Sequence, residues 1–83
     1  KLDKCGGLTQ VLELVELARK DGKALMVGNM MGTSLSMAPS FVIGQHCRFV
    51  DIDGPLLLAR DIVNGLHYGE GGVVDIPSPA LWG

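Results

Sequence analysis

The sequence has little of what marks several common classes of protein. Its two cysteines, Cys5 and Cys47, lack the close spacing of metal ligands, and small secreted scaffolds carry more, so we expect reduced thiols and a cytoplasmic protein. The formal net charge is only −2 and no basic run occurs, which argues against nucleic acid or an anionic membrane as a partner. No apolar run reaches the roughly 18 to 20 residues of a membrane span.

Glycine and apolar residues are abundant. The 83 residues are 47% hydrophobic and 19% charged and include 12 glycines, a composition unlike that of a disordered chain or a solvated helical bundle. Apolar strands joined by tight turns fit better. At this length a lone domain buries only about 60% of the surface of its unfolded chain. The chain therefore has a single core or contributes to a larger one.

The clearest predicted element is an amphipathic helix from Thr9 to Asp21. Apolar residues form a stripe along one face and charged residues lie on the other. Thr9 is placed to cap its N-terminus, and Gly22 to end it in the left-handed conformation. Lys20 follows Glu16 at the i,i+4 spacing of an ion pair.

The other predicted elements are two strands, two helices and a hairpin. Short apolar runs indicate strands that are covered on both faces of a parallel sheet, and the last two runs, separated by a glycine-rich turn, favour a hairpin. Pro39 is tolerated near the first turns of its helix. The predicted ranges are strands at 24–28 and 48–52, helices at 34–46 and 56–63, and hairpin strands at 66–68 and 73–76.

The order of these elements predicts an α/β architecture. Strands that alternate with helices pair in parallel through right-handed crossovers. Only two complete strands are predicted, and so narrow a sheet would leave long apolar edges open. We therefore expect further strands from outside these 83 residues, in an α/β barrel of which this chain is one portion.

In such a barrel the chemistry lies where the strands end. This rule selects residues 1–7, 28–33 and 51–55. Asp51 and Asp53 share one strand parity, so both side chains are expected to point into the barrel mouth. Two carboxylates on one face repel each other unless a cation lies between them. A metal site and an ordinary Asp-Gly-Pro turn are both compatible with this pattern.

Three motifs at these strand ends are similar to those of one family. K-L-D-K-C-G-G at Lys1–Gly7 resembles K-L-x-K-x-G-G, M-V-G-N-M at Met26–Met30 resembles M-V-G-x-M, and D-I-D-G-P at Asp51–Pro55 resembles D-x-D-G-P. The family is the dipeptide epimerases of the L-Ala-D/L-Glu type, in the enolase superfamily. The resemblance implies the C-terminal portion of a modified (β/α) TIM-type barrel, from the end of strand six through strand eight, at residues 1–63. Residues 64–83 would form a C-terminal hairpin and tail.

The resemblance also implies a reaction and its residues. The parent protein would be a magnesium-dependent epimerase that inverts the α-carbon of the C-terminal residue of a dipeptide, by two-base proton transfer through an enediolate. Lys1 would be one of two catalytic lysines, and Asp51 and Asp53 would receive the ammonium group of the substrate. Met30 would line the pocket for the first side chain, and Gly28 would let the backbone approach the ligand. The magnesium ligands and the second lysine are expected upstream, so the chain alone should be inactive. A homo-oligomeric parent is compatible with these features.

Other functions stay open on the sequence. A cycloisomerase, an o-succinylbenzoate synthase or an N-succinylamino acid racemase would share Lys1 but need no ammonium site. A non-catalytic phosphate-binding half-barrel is an alternative of another class, because the last strand loops of many barrels hold phosphate. Asp51 and Asp53 argue against it, since they would repel the anion. A structural remnant without a ligand is the third alternative.

Overall fold

The computed structural model describes all residues from Lys1 to Gly83. Helices and strands alternate along the first part of the chain, as predicted. Residues 54–83 contain only short 3-10 turns and one isolated antiparallel bridge. The elements are α1 at Leu2–Cys5, α2 at Leu8–Lys20, β1 at Met26–Val27, α3 at Ser34–Gly44, β2 at Phe49–Val50, and 3-10 turns at Gly54–Leu57 and Glu70–Gly72.

The two strands pair in parallel, which confirms the predicted topology. Met26 lies opposite Phe49, Val27 lies opposite Val50, and α3 is the crossover between them. Beyond the strand, the amide of Asp51 donates to the carbonyl of Val27 at 2.9 Å. Both strands are shorter than predicted. Because each has a partner on one edge only, nothing extends the pairing further.

The core lies between the sheet and the helices. The buried cluster takes one residue from α2, one from β1, two from α3 and one from the segment after β2, namely Val11, Val27, Met37, Ile43 and Ile52. The other face of the sheet is open, since Met26 is 59% and Phe49 56% exposed. The prediction of strands covered on both faces is therefore wrong for this chain alone, which supplies helices to one face only.

Helix α2 begins one residue before the prediction. Its N-cap is Gly7, and no side chain caps it, so the predicted role of Thr9 is wrong. The C-terminus is confirmed: Gly22 has a φ of 66°, and the amide of Lys23 donates to the carbonyl of Ala18 at 2.9 Å. Glu16 pairs with Arg19 at 2.9 Å and not with Lys20.

Three further predictions need correction. Helix α1 was not predicted; it ends at Gly6, which has a φ of 85°. The helix predicted at 56–63 is wrong, because the 3-10 turn stops at Leu57 and Asp61 bonds to the start of α3. The hairpin is reduced to one antiparallel bridge, between Tyr68 and Val74. No helix of the chain combines the length and the apolar character that crossing a bilayer requires.

Candidate functional site

The candidate site lies where β1 and β2 end. Side chains alternate along the segment after β2: Asp51 and Asp53 are exposed, whereas Ile52 between them is only 4% exposed and belongs to the core. Both carboxylates therefore lie at the surface beside the strand end, one on each side of a buried residue, and their shared direction into a barrel mouth stays a prediction.

The side chain of Lys1 lies beside the loop that follows β1. A Cβ atom built on Gly28 would be 3.6 Å from Cε of Lys1 and 3.9 Å from the carbonyl oxygen of Asp51. Nζ of Lys1 lies 3.8 Å from the sulfur of Met30. Lys1 forms no ion pair with either aspartate. Gly28 thus has a neighbour from each of the other two predicted strand-end segments, Lys1 and Asp51. The contacts at Gly28 are ordinary, so packing within this chain does not demand a glycine there.

The backbone of Met30 is held at both of its polar groups. Its amide donates to Oδ2 of Asp3 at 3.3 Å, and its carbonyl accepts from Nδ2 of Asn29 at 2.6 Å. The side chain of Met30 is 47% exposed, so it is accessible at the surface of the site. Sequence reasoning missed Asp3 and Asn29. Both residues lie inside the strand-end motifs, and this position is the sequence feature that could have identified them.

Gly54 forms the contact between the two strand-end loops. A Cβ atom at this position would lie 2.2 Å from Nδ2 of Asn29 and 3.2 Å from the carbonyl oxygen of Met30. The absence of a side chain therefore lets the loop after β1 pack against the turn after β2. The sequence alone predicts for Gly54 only a place in an Asp-Gly-Pro turn.

A polar clamp, Ser34 with Asp61, ties the second part of the chain to the start of α3. Asp61 accepts from the amide of Ser34 at 2.9 Å, from the hydroxyl of Ser34, and from the amide of Ile62 at 2.8 Å. The amide of Leu66 donates to the hydroxyl oxygen of Ser34 at 2.8 Å. Desolvation raises the pKa of Asp61, but the bonds from Ser34 and Ile62 outweigh it and hold this pKa below its ordinary value.

Tyr68 connects the C-terminal bridge to the aspartate pair. Its hydroxyl donates to the carbonyl oxygen of Ile52 at 2.6 Å. Burial, and then the charges of Asp61 and Asp53, raise the pKa of Tyr68 to about 12. A cleft of about 390 Å³ separates the bridge from the strand end and is lined by Asp51, Asp53 and Tyr68 among others.

The residues of this chain do not form a metal site. No three His, Cys, Asp or Glu side chains come together in a way that could hold an ion. Both cysteines are free, and burial raises the pKa of Cys47. We therefore derive no step of a reaction through magnesium bound to these residues.

Comparison with known proteins gives matches over nearly the whole chain. It is 45% identical over 83 residues to the N-acetyl-D-glutamate racemase of a Pseudoalteromonas species, covering 100% of this chain and 26% of the relative. It is 41% identical over 71 residues to the L-Ala-D/L-Glu epimerase of Escherichia coli K12, covering 86% of this chain and 22% of the relative. No protein-family model matches.

A solved structure matches as well. It is an enolase family member from Agrobacterium tumefaciens with homology to dipeptide epimerases, which contains bound sodium and L-Ala-L-Glu. The sequences are 51% identical, the TM-score is 0.92, and the match covers 99% of this chain and 25% of that one. The resemblance to enolase-superfamily dipeptide epimerases is confirmed.

The fold prediction is confirmed with it. This chain is an α/β segment of the barrel type found in enolase-family dipeptide epimerases. It spans about a quarter of the length of the relatives that it matches. The roles assigned to Lys1, Gly28, Met30, Asp51 and Asp53 stay predictions, and the structure adds that they lie around one strand edge.

Proposed function

We propose that these residues belong to a longer, magnesium-dependent epimerase that inverts the α-carbon of the C-terminal residue of a dipeptide such as L-Ala-L-Glu. The observation that carries the proposal is the exposure of Asp51 and Asp53 on either side of a buried Ile52. Two unpaired carboxylates at one strand edge attract a cationic group, and a dipeptide carries one in its terminal ammonium. The relative named for L-Ala-D/L-Glu epimerisation supports this reading.

The other predicted residues take roles that agree with their positions. Lys1 lies against Gly28, which also neighbours the backbone of Asp51, and its amine would exchange a proton with the α-carbon of a substrate anchored by the aspartates. Met30, with an accessible side chain on a fixed backbone, would contact the first side chain of the dipeptide. The magnesium ligands and the opposite lysine are proposed to lie outside this chain, as are the remaining barrel strands.

The test is proton exchange by the full-length protein. Incubation with L-Ala-L-Glu in deuterium oxide, with magnesium present, is expected to replace the α-proton of the glutamate residue and to produce the D epimer. The isolated 83-residue chain is expected to exchange nothing. If the full-length protein exchanges no α-proton of any dipeptide in a panel that varies both residues, the proposal is wrong.

A second candidate is a racemase of N-acylamino acids. It is favoured by the 45% identity to a relative named N-acetyl-D-glutamate racemase. Its substrates have an amide in place of the ammonium group, so the charge of the aspartate pair would not be needed to hold them. Lys1 would keep the same role in both reactions, because each one moves a proton at an α-carbon.

Removing the charge of the aspartates separates the two candidates. The double variant Asp51→Asn, Asp53→Asn is expected to reduce kcat/KM for L-Ala-L-Glu by at least about 100-fold, the loss of two charge-assisted contacts. Turnover of N-acetyl-glutamate, if this is the true reaction, would change by less than about fivefold. Loss of dipeptide activity alone supports the epimerase, and retained N-acetyl-glutamate activity in a protein inactive on dipeptides supports the racemase.

The phosphate-binding alternative is disfavoured on two grounds. The amide of Ser34, at the start of α3, already donates to the carboxylate of Asp61 and does not point to a vacant anion site. The other strand end presents Asp51 and Asp53, which would repel a phosphate. The division into a barrel part at 1–63 and a tail at 64–83, and a homo-oligomeric parent, stay predictions.

A further inference from the structure

We propose that Tyr68 is a positioning residue for the ammonium site: its hydroxyl holds the carbonyl of Ile52 and thereby fixes the peptide that joins Asp51 to Asp53. The inference rests on the proposed function, because it concerns how the two aspartates are presented to a substrate. It assigns a role to the C-terminal bridge, which would otherwise be a peripheral tail.

The segment from Asp51 to Asp53 is anchored at three points. The amide of Asp51 donates to Val27 at 2.9 Å, which continues the parallel ladder. The carbonyl of Asp53 accepts from the amide of Leu56 at 2.9 Å, which closes the following turn. Between these points the carbonyl of Ile52 accepts the hydroxyl of Tyr68 at 2.6 Å. Without this middle contact, the peptide between the two carboxylates would be held only at its ends and by the buried side chain of Ile52.

The backbone around Tyr68 is itself held in place by hydrogen bonds and packing. It forms the antiparallel bridge with Val74, and the neighbouring amide of Gly69 donates to the carbonyl of Val73 at 2.7 Å. Leu66 and Val74, on either side of the turn, pack against the buried core cluster. The Tyr68 hydroxyl is thus held next to Ile52 by a short backbone segment that packs against the core at Leu66 and at Val74.

The hydroxyl stays a donor over the whole working range of pH. Burial and the nearby carboxylates of Asp61 and Asp53 raise the pKa of Tyr68 to about 12, so the proton is not lost near neutrality. Phenylalanine lacks only the hydroxyl, and no other group of the chain donates to the carbonyl of Ile52. Tyr68→Phe therefore deletes the anchor and keeps the packing of the ring.

The kinetic experiment compares Tyr68→Phe with the wild type in the full-length protein. We expect KM for L-Ala-L-Glu to rise about tenfold, the loss of one hydrogen bond, with kcat changed less than about twofold. The affinity for N-acetyl-glutamate, as substrate or competitive inhibitor, should stay the same because it offers no ammonium group. The control is His67→Ala, next to the same bridge, which removes an exposed contact to Asp75 and should leave KM and kcat for L-Ala-L-Glu unchanged.

A spectroscopic readout tests the anchor without any activity. In the full-length protein, labelling Ile carbonyl carbons and Asp amide nitrogens gives an NMR signal for each Ile-Asp peptide, and the signal of Ile52–Asp53, the single such pair in these 83 residues, is identified by its absence in Asp53→Asn. In Tyr68→Phe the Ile52 carbonyl carbon should move upfield, as expected when a hydrogen bond to it is lost.

An unchanged carbonyl resonance, an unchanged KM for the dipeptide, or an equal loss for dipeptide and N-acetyl-glutamate would each overturn the inference. Failure of the wild-type protein to act on any dipeptide would instead overturn the proposed function, and the resonance would still decide whether Tyr68 holds the peptide.

Discussion

Residues 1–53 and residues 54–83 are held in place by different interactions. The first region contains all five helices and strands, and every member of the buried core cluster lies in it. The second region has two 3-10 turns and one bridge, and it attaches through the bonds of Asp61 to Ser34 and of Tyr68 to Ile52, with Leu66 and Val74 packed on the core. Apolar packing builds the first region, and a few polar contacts place the second.

The difference matters for the candidate site because the site lies at the boundary. Asp51 and Asp53 end the first region, whereas Gly54 and Tyr68, which fix their surroundings, belong to the second. The second region therefore contributes two contacts to the site, the bond of Tyr68 to Ile52 and the close approach of Gly54 to Asn29.

The largest expected effect is loss of apolar packing in the first region. Ile43 is 3% exposed and Ile76, in the second region, is 84% exposed. Ile43→Ala should lower the free energy of unfolding by about 2–5 kcal/mol, because it leaves a cavity in the core. Ile76→Ala, the same chemical change, should cost less than about 0.5 kcal/mol. Chemical denaturation of the full-length proteins measures both.

Equal costs for the two isoleucine variants would break the comparison. A large cost for Ile76→Ala would mean that a part of the protein outside these residues covers the second region. The same reasoning applies to the open face of the sheet, where Phe49 is 56% exposed in this chain and the remaining barrel strands are expected.

The next effect concerns the polar clamp. Asp61→Asn removes the charge that accepts three donors and should cost about 1.5–3 kcal/mol of stability. The control Asp75→Asn lies in the same region, in a pair with His67 whose side chains are 73% and 61% exposed, and should cost at most about 1 kcal/mol. If the two variants are equally stable, the clamp does not place the second region.

The clamp also predicts a pH dependence. The pKa of Asp61 is lower in the folded protein than in the unfolded chain, so its stabilisation is present above the unfolded value of about 4 and is lost as the pH falls through the folded value. The stability difference between the wild type and Asp61→Asn should therefore shrink below about pH 4 and be constant near neutrality. A difference that grows on acidification would contradict the assignment.

The features that could be predicted from the sequence lie mainly in the first region, residues 1–53. The apolar stripe of α2 has the period of a helix, the short apolar runs at β1 and β2 are typical of buried strands, and Gly22 marks a helix end. The strand-end rule predicts that Lys1, Asp51 and Asp53 lie at one edge, because parallel strands end together. These patterns are local, so they can be seen without the fold.

No local sequence pattern reveals the contacts of the second region. Asp61 bonds to Ser34 across 27 positions of sequence, and Tyr68 reaches Ile52 across 16. The apolar spacing in residues 56–63 predicts a helix, but the 3-10 turn ends at Leu57 and Asp61 bonds to the distant Ser34. The pairing of Gly54 with Asn29 is likewise a close approach between loops, which only the folded chain reveals.

The smallest expected effect concerns the contact between the loop after β1 and the turn after β2, where the two regions meet. Gly54→Ala introduces a Cβ atom 2.2 Å from Nδ2 of Asn29, whose side chain can move only by giving up its 2.6 Å bond to Met30. The φ of Gly54 is not positive, so alanine fits the backbone, and we expect a cost of about 1 kcal/mol from crowding and the lost bond. Asn29→Ala in the same protein removes the obstacle, so the double variant should lose less than the sum of the two single variants. Additive costs would mean that the two loops do not touch here, and the site would then consist of two independent strand ends.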